Sequence, residues 1–478
     1  MMDVKSVLEI LVLLVGFYMA WNIGANDVSN AMGTSVGSGA LTLKKAVFIA
    51  AILEFSGAFF VGSNVSHTMQ SGLIDTSLFI NDPMTLILGM CAALLGTSVW
   101  IQIASYFGWP VSTTHAIVGA ILGFGAFIGG VDAILWQEVG SIALSWIVSP
   151  LISAIISYCI FIFLQKKILF AMNPTQATIR LMPLFVFIVF ATFTLSLIFN
   201  GLANLHLSIT FPQALCIAIL IGAAGALITR LIVRRVPVPT GHERSQLLPQ
   251  SAISLNKAIK HLQRVRATSE SVVHEKVRDI LKDVTSLSEL AKQQTHTIGL
   301  SSEYQSVEKM FVYLQIFSAS FVAFAHGAND VANAIGPVAA VLEIIKTGSV
   351  QATALIPPWL LALGGIGIVI GLATWGWRVI ETIGKKLTEL TPTRGFSAEF
   401  GAATTILIAS KLGLPISTTH CLVGAVLGVG LARGIQALNL SMLKDVILSW
   451  IVTIPASAGM AILFFYLLRY IFIKGPIL

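Results

Sequence analysis

The sequence predicts an all-α integral membrane protein of about twelve transmembrane helices, arranged as two inverted-topology repeats with interrupted, re-entrant helices. Three observations carry this prediction. Apolar residues make up 56% of the 478-residue chain and charged residues only 11%, whereas soluble domains carry about 25% charged residues. Apolar runs of about 20 residues, the length that crosses a bilayer core, recur along the chain. Two polar motifs each occur twice, in the same order.

The predicted spans are read from the apolar runs in chain order. Those in the first part of the chain cover residues 7–23, 46–62, 84–106, 114–131, 139–164, 181–200 and 211–233. Those after a hydrophilic segment cover residues 310–326, 357–377, 396–412, 416–432 and 444–468. The runs lack the alternation of a membrane barrel strand, and a helix satisfies its own backbone hydrogen bonds in lipid.

This layout divides the chain into four expected parts. They are a first repeat at 1–164, two connecting helices at 165–233, a hydrophilic loop at 234–309 and a second repeat at 310–478. The loop carries twelve Lys and Arg residues against eight Asp and Glu. Its apolar residues recur at near-helical spacing, which predicts one or two amphipathic helices. A regulatory role for the loop would rest on this periodicity alone.

The basic residues predict the orientation in the membrane. Before residue 240, every Lys and Arg except Lys5 falls on one side of the predicted spans. The loops on the opposite side contain acids but no Lys or Arg. By the positive-inside rule, both termini then lie outside and the 234–309 loop is cytoplasmic. Because no transit peptide is recognisable, a plasma or inner membrane location is expected. The net charge of +7 is attributed to these loops, so nucleic acid is not an expected partner.

The duplicated motifs indicate an internal repeat. GANDVSNAMG at 24–33 and GANDVANAIG at 327–336 agree at eight of ten positions. The stretches at 110–125 and 415–430, which begin PVSTTH and PISTTH, agree at eleven of sixteen. Seven predicted spans separate the copies, and because seven is odd, the copies enter the membrane from opposite sides. An inverted repeat with polar segments is typical of a secondary transporter whose site lies near the bilayer midplane.

The PxSTTH motif predicts an anion site. Pro110 and Pro415 precede what would be the start of a half-helix, where free N–H groups bind anions without a buried arginine. The hydroxyl residues expected to take part are Ser112, Thr113, Thr114, Ser417, Thr418 and Thr419. For one isolated triplet, packing and hydrogen bonding between helices would be the simpler interpretation, but duplication beside a second duplicated motif favours function.

The GAND motif predicts a site for a small cation. Its amides and carboxylates provide hard oxygen ligands: Asn26, Asp27, Asn30, Asn329, Asp330 and Asn333. An aspartate within a membrane span is costly enough to indicate a functional site. The glycines of the motif, together with Pro337, are expected to interrupt the helices and let backbone approach an ion.

Two further pairs of titratable residues are candidates. Glu54 and Glu399 lie within predicted spans, and each faces an apolar residue in the weakly aligned other copy. A cation-coupling or gating role is favoured for both, with a buried protonated carboxyl as the alternative. For His115 and His420, hydrogen bonding inside the bundle and membership of a proton path are both left open.

GANDVxNA followed by PxSTTH, both duplicated around a hydrophilic loop, resembles the inorganic phosphate transporter (PiT) family, which also includes sulfate permeases. The resemblance covers both halves of the chain, excluding much of the central loop. It implies secondary uptake of phosphate driven by a Na+ or H+ gradient, with no other cofactor. It also implies that the GAND acids and amides line the substrate and cation sites, that the STT residues contribute hydroxyls or amides, and that Glu54 and Glu399 match acids the family requires.

Charge counting favours symport. Two ionised aspartates beside a phosphate dianion would total about four negative charges in a poorly solvated site, so roughly two or more cations must bind with each anion. Na+ would sit at Asp27 and Asp330. Hydrogen phosphate can also donate a proton to a carboxylate, whereas sulfate cannot. A sulfate permease and an ion channel are the alternatives; no P-loop supports ATP-driven pumping, and no asymmetric constellation supports an enzyme. Oligomeric state is left open, with a homodimer as one alternative.

Overall fold

The structure is a computed structural model. It describes residues 4–201, 209–236, 255, 258–259, 261–263, 265–266, 272–298, 302–350, 354–380, 390–434, 438 and 440–473. Within these residues, no β-strand is present and nearly all of the secondary structure is helical. The helical content and the long apolar helices agree with the predicted all-α membrane class.

The helices follow one another in two similar series. The first part of the chain contains α1 (Val4–Gly37), α2 (Leu43–Val61), α3 (Ser63–Ser71), α4 (Pro83–Tyr106), α5 (Thr113–Gly129), α6 (Trp136–Leu164), α7 (Pro174–Gly201) and α8 (Phe211–Val233). The later part contains α9 (Val272–Ile298), α10 (Ser302–Thr347), α11 (Pro358–Thr374), α12 (Pro392–Lys411), α13 (Thr418–Arg433) and α14 (Leu440–Phe472).

Seven of the described helices are long and apolar enough to cross a membrane. They include α1, α4, α8 and most of α7, whereas α5, α11 and α13 are shorter apolar helices. Two of the short helices, α5 and α13, begin at the STT triplets. The count of twelve spans, their inverted layout and the four-part division of the chain stay predictions.

The chain forms two compact units. One consists of Met1–Phe161, Phe187–Ala223 and Val312–Leu478, and it contains both copies of both motifs. The other consists of Ile162–Val186 and Ala224–Phe311. In this second unit the predicted loop is helical over α9, whose Val277 and Leu281 are buried. Of the periodic residues predicted earlier in the loop, Ile259 and Leu262 are described as helical, and Ile253 lies outside the described residues.

The prediction that the GAND motif interrupts its helices is wrong. Both copies lie inside continuous helices, α1 and α10, and Pro337 is also within α10. The glycines serve close packing instead. A Cβ on Gly24 would lie 1.9 Å from the carbonyl oxygen of Ile368, and one on Gly327 would lie 2.1 Å from that of Glu54. Only glycine allows the neighbouring backbones, α11 and α2, to approach this closely.

The predicted break at PxSTTH is found. After α4 and α12 the chain turns through a glycine with positive φ, Gly108 or Gly413, and the next helix begins at Thr113 or Thr418. Each new helix is capped by the preceding serine, because the Ser112 hydroxyl accepts from the His115 N–H at 3.1 Å. The α4–α5 and α12–α13 connections therefore form two tips that end close to the GAND helices.

The short helix that begins at each STT triplet packs against a long helix of the other half. α5 packs on α14, where a Cβ on Gly119 would lie 2.8 Å from the Ile454 carbonyl oxygen. α13 packs on α6, where a Cβ on Gly424 would lie 2.3 Å from the carbonyl oxygen of Pro150. Each half therefore holds the helix that begins at the STT triplet of the other half, and this places both triplets in one region.

Candidate functional site

The two GAND aspartates each bind one STT threonine. The Thr113 hydroxyl donates to Asp27 Oδ2 at 2.7 Å, and the Thr418 hydroxyl donates to Asp330 Oδ2 at 2.9 Å. All four side chains are 2% exposed or less. Such hydroxyl-to-carboxylate bonds, made away from water, hold the carboxylates in place. The structure therefore brings together the motifs that the sequence keeps about 85 residues apart within each half.

Hydrogen bonds also cross between the halves. Asn30 donates to the Thr419 hydroxyl at 2.8 Å, and Asn333 donates to the Thr114 hydroxyl at 3.1 Å. Each of these threonines in turn donates to a carbonyl oxygen in the opposite tip, Thr419 to that of Val111 and Thr114 to that of Ile416. The four predicted motif segments thus form a single buried cluster with matched contacts.

The first asparagine of each motif attaches the GAND helix to a tip. Asn26 donates to the Ser105 hydroxyl at 2.9 Å and to the Trp109 carbonyl oxygen at 3.1 Å. Asn329 makes the equivalent bonds, to the Ser410 hydroxyl and to the carbonyl oxygen of Leu414. These amides orient the turns from which α5 and α13 begin.

A histidine that sequence reasoning missed stands among the acids. His326 Nε2 lies 3.0 Å from Asp330 Oδ2 and 3.9 Å from Asp27 Oδ2, while Nδ1 lies 3.3 Å from Glu54 Oε1. Both ring nitrogens face carboxylate oxygens, an arrangement that an imidazolium with two N–H donors satisfies. The available signal was a polar residue directly before the second GAND, at the place that Ile23 occupies before the first.

Glu399 lies apart from this cluster in a nest of donors. Its Oε1 accepts from Thr34 at 2.5 Å, Ser35 at 2.7 Å and Gln315 at 3.1 Å, and its Oε2 accepts from Ser318 at 2.5 Å. Thr34 is seven residues, or about two helical turns, beyond Asp27 on α1. The two glutamates, which have no counterpart in the other half and for which the sequence does not require symmetric roles, are in different surroundings. Glu54 adjoins the aspartates through His326, and Glu399 does not.

The two predicted histidines of the STTH motifs meet each other. The rings of His115 and His420 have centroids 4.3 Å apart, and each ring packs on a tryptophan, Trp146 at 3.9 Å and Trp450 at 3.5 Å respectively. In the part of the chain that the structure describes, neither histidine lies within ion-pair distance of a carboxylate. His420 Nδ1 also lies 3.5 Å from the Trp146 carbonyl oxygen, a contact inside the bundle. The hydrogen-bonding role and the proton path both stay predictions.

Several oxygens of the cluster are buried without a hydrogen bond. Among the described residues, the amide oxygens of Asn26, Asn30, Asn329 and Asn333 have no partner, and neither has Asp330 Oδ1. A buried acceptor without a donor is costly unless a ligand satisfies it. Oxygens of this type are ligands for hard cations. In addition, Asp27, His326 and Asp330 offer ligand atoms that all lie within 4.8 Å of one another.

Comparison with known proteins identifies the family. The sequence profile of the phosphate transporter family matches residues 23–461. The chain is 44% identical to inorganic phosphate transporter 2-1, chloroplastic, of Arabidopsis thaliana over 95% of this chain and 70% of that one. A solved structure, the sodium-dependent phosphate transporter, is similar with a TM-score of 0.75 and 36% identity, over 97% of this chain and 100% of that one. This protein is thus a transporter and not an enzyme, and it belongs to the phosphate transporter family.

Proposed function

We propose that this protein imports inorganic phosphate by symport with Na+, and that anion and cations bind together between the GAND and PxSTTH motifs of the two halves. The observation that carries this proposal is the convergence of Asp27 and Asp330 on the threonines that begin α5 and α13. Membership of the family supports phosphate as the substrate. Na+ is preferred over H+ because the similar solved structure is of a sodium-dependent transporter.

The cations are bound by the unpaired oxygens of the GAND motifs. The amide nitrogens of Asn30 and Asn333 are engaged by threonine hydroxyls, so their amide oxygens have a defined direction. Together with the Asp27 and Asp330 carboxylates and the oxygens of Asn26 and Asn329, they supply the carbonyl and carboxylate ligands that suit Na+. These ligands come from both halves, so a bound cation stabilises the contacts between the two halves within the cluster.

The anion is bound at the starts of α5 and α13. The first N–H groups of a helix have no partner within the helix, and the helix dipole favours negative charge there. Ser112 Oγ accepts from the backbone of its own helix, and so does Ser417 Oγ, which leaves both hydroxyl protons free to bond an anion. Thr113, Thr114, Thr418 and Thr419 add hydroxyls from the same turns.

Charge balance makes the coupling obligatory. Asp27, Asp330 and Glu54 surround His326, which contributes at most one positive charge. The buried residues among those described include no Lys or Arg. A phosphate dianion entering this region without cations would meet uncompensated carboxylates at low dielectric, which costs far more than hydrogen bonds return. Roughly two or more Na+ ions per phosphate relieve the repulsion.

Glu399 contributes to coupling from its separate position. The nest around it contains the hydroxyls of Thr34, Ser35 and Ser318 and the Gln315 amide. Hydroxyl groups can present either a proton or a lone pair, so the nest can hold the carboxylate alone or turn its oxygens toward a cation. Because Thr34 and Ser35 lie on the GAND helix α1, a cation bound at Glu399 acts on the helix that carries Asp27.

The orientation belongs to the same proposal. The distribution of Lys and Arg supports termini outside and a cytoplasmic central loop, in a plasma or inner membrane. With that orientation, the Na+ gradient of a living cell is directed inward and drives import. A homodimer is compatible with this scheme and is not required by it.

Uptake into proteoliposomes tests the proposal. Radiolabelled phosphate is supplied to vesicles of purified protein with an inward Na+ gradient at equal pH, and then with a pH gradient in the absence of Na+. We expect concentrative uptake under the Na+ gradient only, and little competition from excess sulfate. Uptake under the pH gradient alone would assign H+ as the coupling ion, and equal competition by sulfate would argue for a sulfate permease. Channel-sized currents would contradict symport.

A matched pair of variants completes the design. Asp27→Asn removes a buried carboxylate of the cluster, whereas Asp132→Asn makes the same change at an exposed residue between α5 and α6. We expect gradient-driven uptake to be lost in the first variant and retained in the second. Equal uptake by both variants would show that the cluster is not the site of coupling.

A further inference from the structure

Arg378 lies in a box of aromatic rings just beyond α11. The centre of its guanidinium lies 5.4 Å from the ring centroid of Tyr106, 5.1 Å from that of Trp375 and 5.2 Å from that of Trp377. These distances are within the range of cation–π attraction. Arg378 is therefore held in place by aromatic faces contributed by α4 and by the residues after α11.

The charge of Arg378 is not neutralised by an acid in the described part of the chain. No described carboxylate lies within 4.0 Å of it, and its Nε atom is buried without a hydrogen-bond partner. In an arginine that pairs with a carboxylate, the N–H groups of the guanidinium already donate hydrogen bonds to that partner. Aromatic faces instead stabilise the cation and leave its N–H groups available. The box thus keeps a positive charge ready for an anion.

The box adjoins the transport cluster. A Cβ on Gly376, two residues before Arg378, would lie 2.4 Å from Val28 Cγ1, and Val28 follows Asp27 on α1. On the other side, Tyr106 contacts Phe107, which stacks on Trp109. The Trp109 carbonyl oxygen accepts from Asn26. The aromatic residues of the α4–α5 tip therefore connect the guanidinium to both the GAND helix and the start of α5.

The second tip lacks such a box. The α4–α5 tip reads Tyr-Phe-Gly-Trp at 106–109, and the equivalent α12–α13 tip reads Lys-Leu-Gly-Leu at 411–414. Leucine side chains offer no π face for a cation. The exposure of the first tip also differs from its buried surroundings, since Tyr106 and Phe107 are each 60% exposed. Among the described residues, the aromatic box around Arg378 thus belongs to the α4–α5 tip, and the aligned positions of the α12–α13 tip carry lysine and leucine instead.

From these observations we infer that Arg378 is a phosphate-binding residue beside the α4–α5 tip of the transport cluster. This inference rests on the proposed phosphate transport and adds a position that the duplicated motifs do not contain. The acids of the cluster repel an approaching phosphate dianion, and a fixed cation beside the tip offsets that repulsion and raises the local anion concentration. The planar N–H fork of arginine matches two phosphate oxygens.

The test measures the phosphate concentration dependence of Na+-driven uptake in proteoliposomes. The variants are Arg378→Gln, Arg378→Lys and, as a matched control, Arg230→Gln at an exposed arginine in the last turn of α8. We expect Arg378→Gln to raise KM for phosphate about tenfold, the loss of one charge-assisted hydrogen bond, with maximal rate and Na+ dependence within about twofold of the unaltered protein. Arg378→Lys keeps the charge without the fork and should raise KM about threefold.

The outcomes separate this inference from the proposed function. Absence of phosphate uptake by the unaltered protein would contradict the proposed function itself. Normal uptake with an unchanged KM in Arg378→Gln, or a lower maximal rate at unchanged KM, would show that Arg378 only packs the tip. KM in the unaltered protein should also rise with ionic strength, and Arg378→Gln should flatten that rise. If Arg378→Gln does not fold, an unchanged KM in Arg378→Lys overturns the inference.

Discussion

The two halves of the chain share four pairs of equivalent hydrogen bonds at their motifs, from Thr113 and Thr418, Asn30 and Asn333, Asn26 and Asn329, and Thr419 and Thr114, but they place different charged residues around them. Position 23 is isoleucine where position 326 is histidine. The close approach of Glu54 to Gly327 has its counterpart in that of Ile368 to Gly24. The comparison teaches that duplication preserved the contacts that build the site, while unmatched residues made its charge distribution asymmetric.

Glu399 extends the same contrast. It is separated by 305 residues from Leu94, the offset that also separates Ser410 from Ser105, whose hydroxyls accept from the paired asparagines. Leu94 is fully buried and apolar. The second half therefore supplies His326 and Glu399, and the first half supplies Glu54. A transporter that must bind cations and an anion together gains from such asymmetry, because the ions need not occupy equivalent positions.

The largest effect is expected where the two halves are alike. Asp27→Asn and Asp330→Asn should each reduce Na+-driven phosphate uptake to background, because each removes a negative ligand that a cation requires. Uptake is compared at equal amounts of folded protein in the vesicles. If one variant keeps full transport, the two aspartates are not equivalent parts of one site.

His326→Ile tests the difference between the halves, because it gives the second half the isoleucine that the first half has at position 23. It removes the group between Glu54 and Asp330 and leaves buried carboxylates without that donor, at a cost of about 3 kcal/mol. Uptake should fall about a hundredfold, and thermal unfolding should occur at lower temperature. Ile23→Val, at the aligned position of the first half, keeps an apolar side chain and serves as the control. Transport by His326→Ile at the normal rate would mean that the imidazole is dispensable.

Glu399→Leu likewise copies the first half, at Leu94. It leaves the hydroxyls of Thr34, Ser35 and Ser318 and the Gln315 amide without their acceptor, whereas Glu399→Gln retains one acceptor oxygen. We expect the leucine variant to be about 2 kcal/mol less stable than the glutamine variant. Detergent-solubilised protein is compared by thermal unfolding. Equal stability would show that the nest does not depend on an acceptor at this position.

Thr113→Val and Thr418→Val test whether matched contacts have matched effects. Each removes one hydroxyl donor from an aspartate at nearly unchanged volume. A hydrogen bond to a charged group is worth about 1.5 kcal/mol, so each variant should lose about tenfold in uptake at low phosphate concentration. Initial rates provide the measurement. A difference of more than about threefold between the two variants would show that the two equivalent hydrogen bonds contribute unequally to transport.

The smallest effect is expected at the one polar difference within the GAND copies. Ser29→Ala gives the first copy the alanine that the second has at position 332. The Ser29 hydroxyl donates only to the Asn26 carbonyl oxygen of its own helix at 2.9 Å, a bond that adds little to helix stability. Uptake should change by less than about twofold. A larger loss would place the Ser29 hydroxyl among the ligands.

Much of the site could be predicted because duplication marks it in the sequence. Asp27, Asn30, Thr113 and their partners were found as repeated polar residues within apolar runs. His326 was not found, because a residue present in only one copy carries no repeat signal. The interruption of α1 was predicted wrongly, because glycine suits both a helix break and a close helix contact, and only the neighbouring backbone distinguishes the two.

The sequence by itself determined the membrane class, the two halves and the residue types of the site, because hydropathy, charge and internal repetition are properties of single positions and their spacing. Only the tertiary structure decided which of these residues meet. It paired Thr113 with Asp27, crossed Asn30 to Thr419 and separated Glu54 from Glu399. Such contacts depend on how α5 and α13 exchange partners between the halves, and that packing is set by distances that no spacing along the chain encodes.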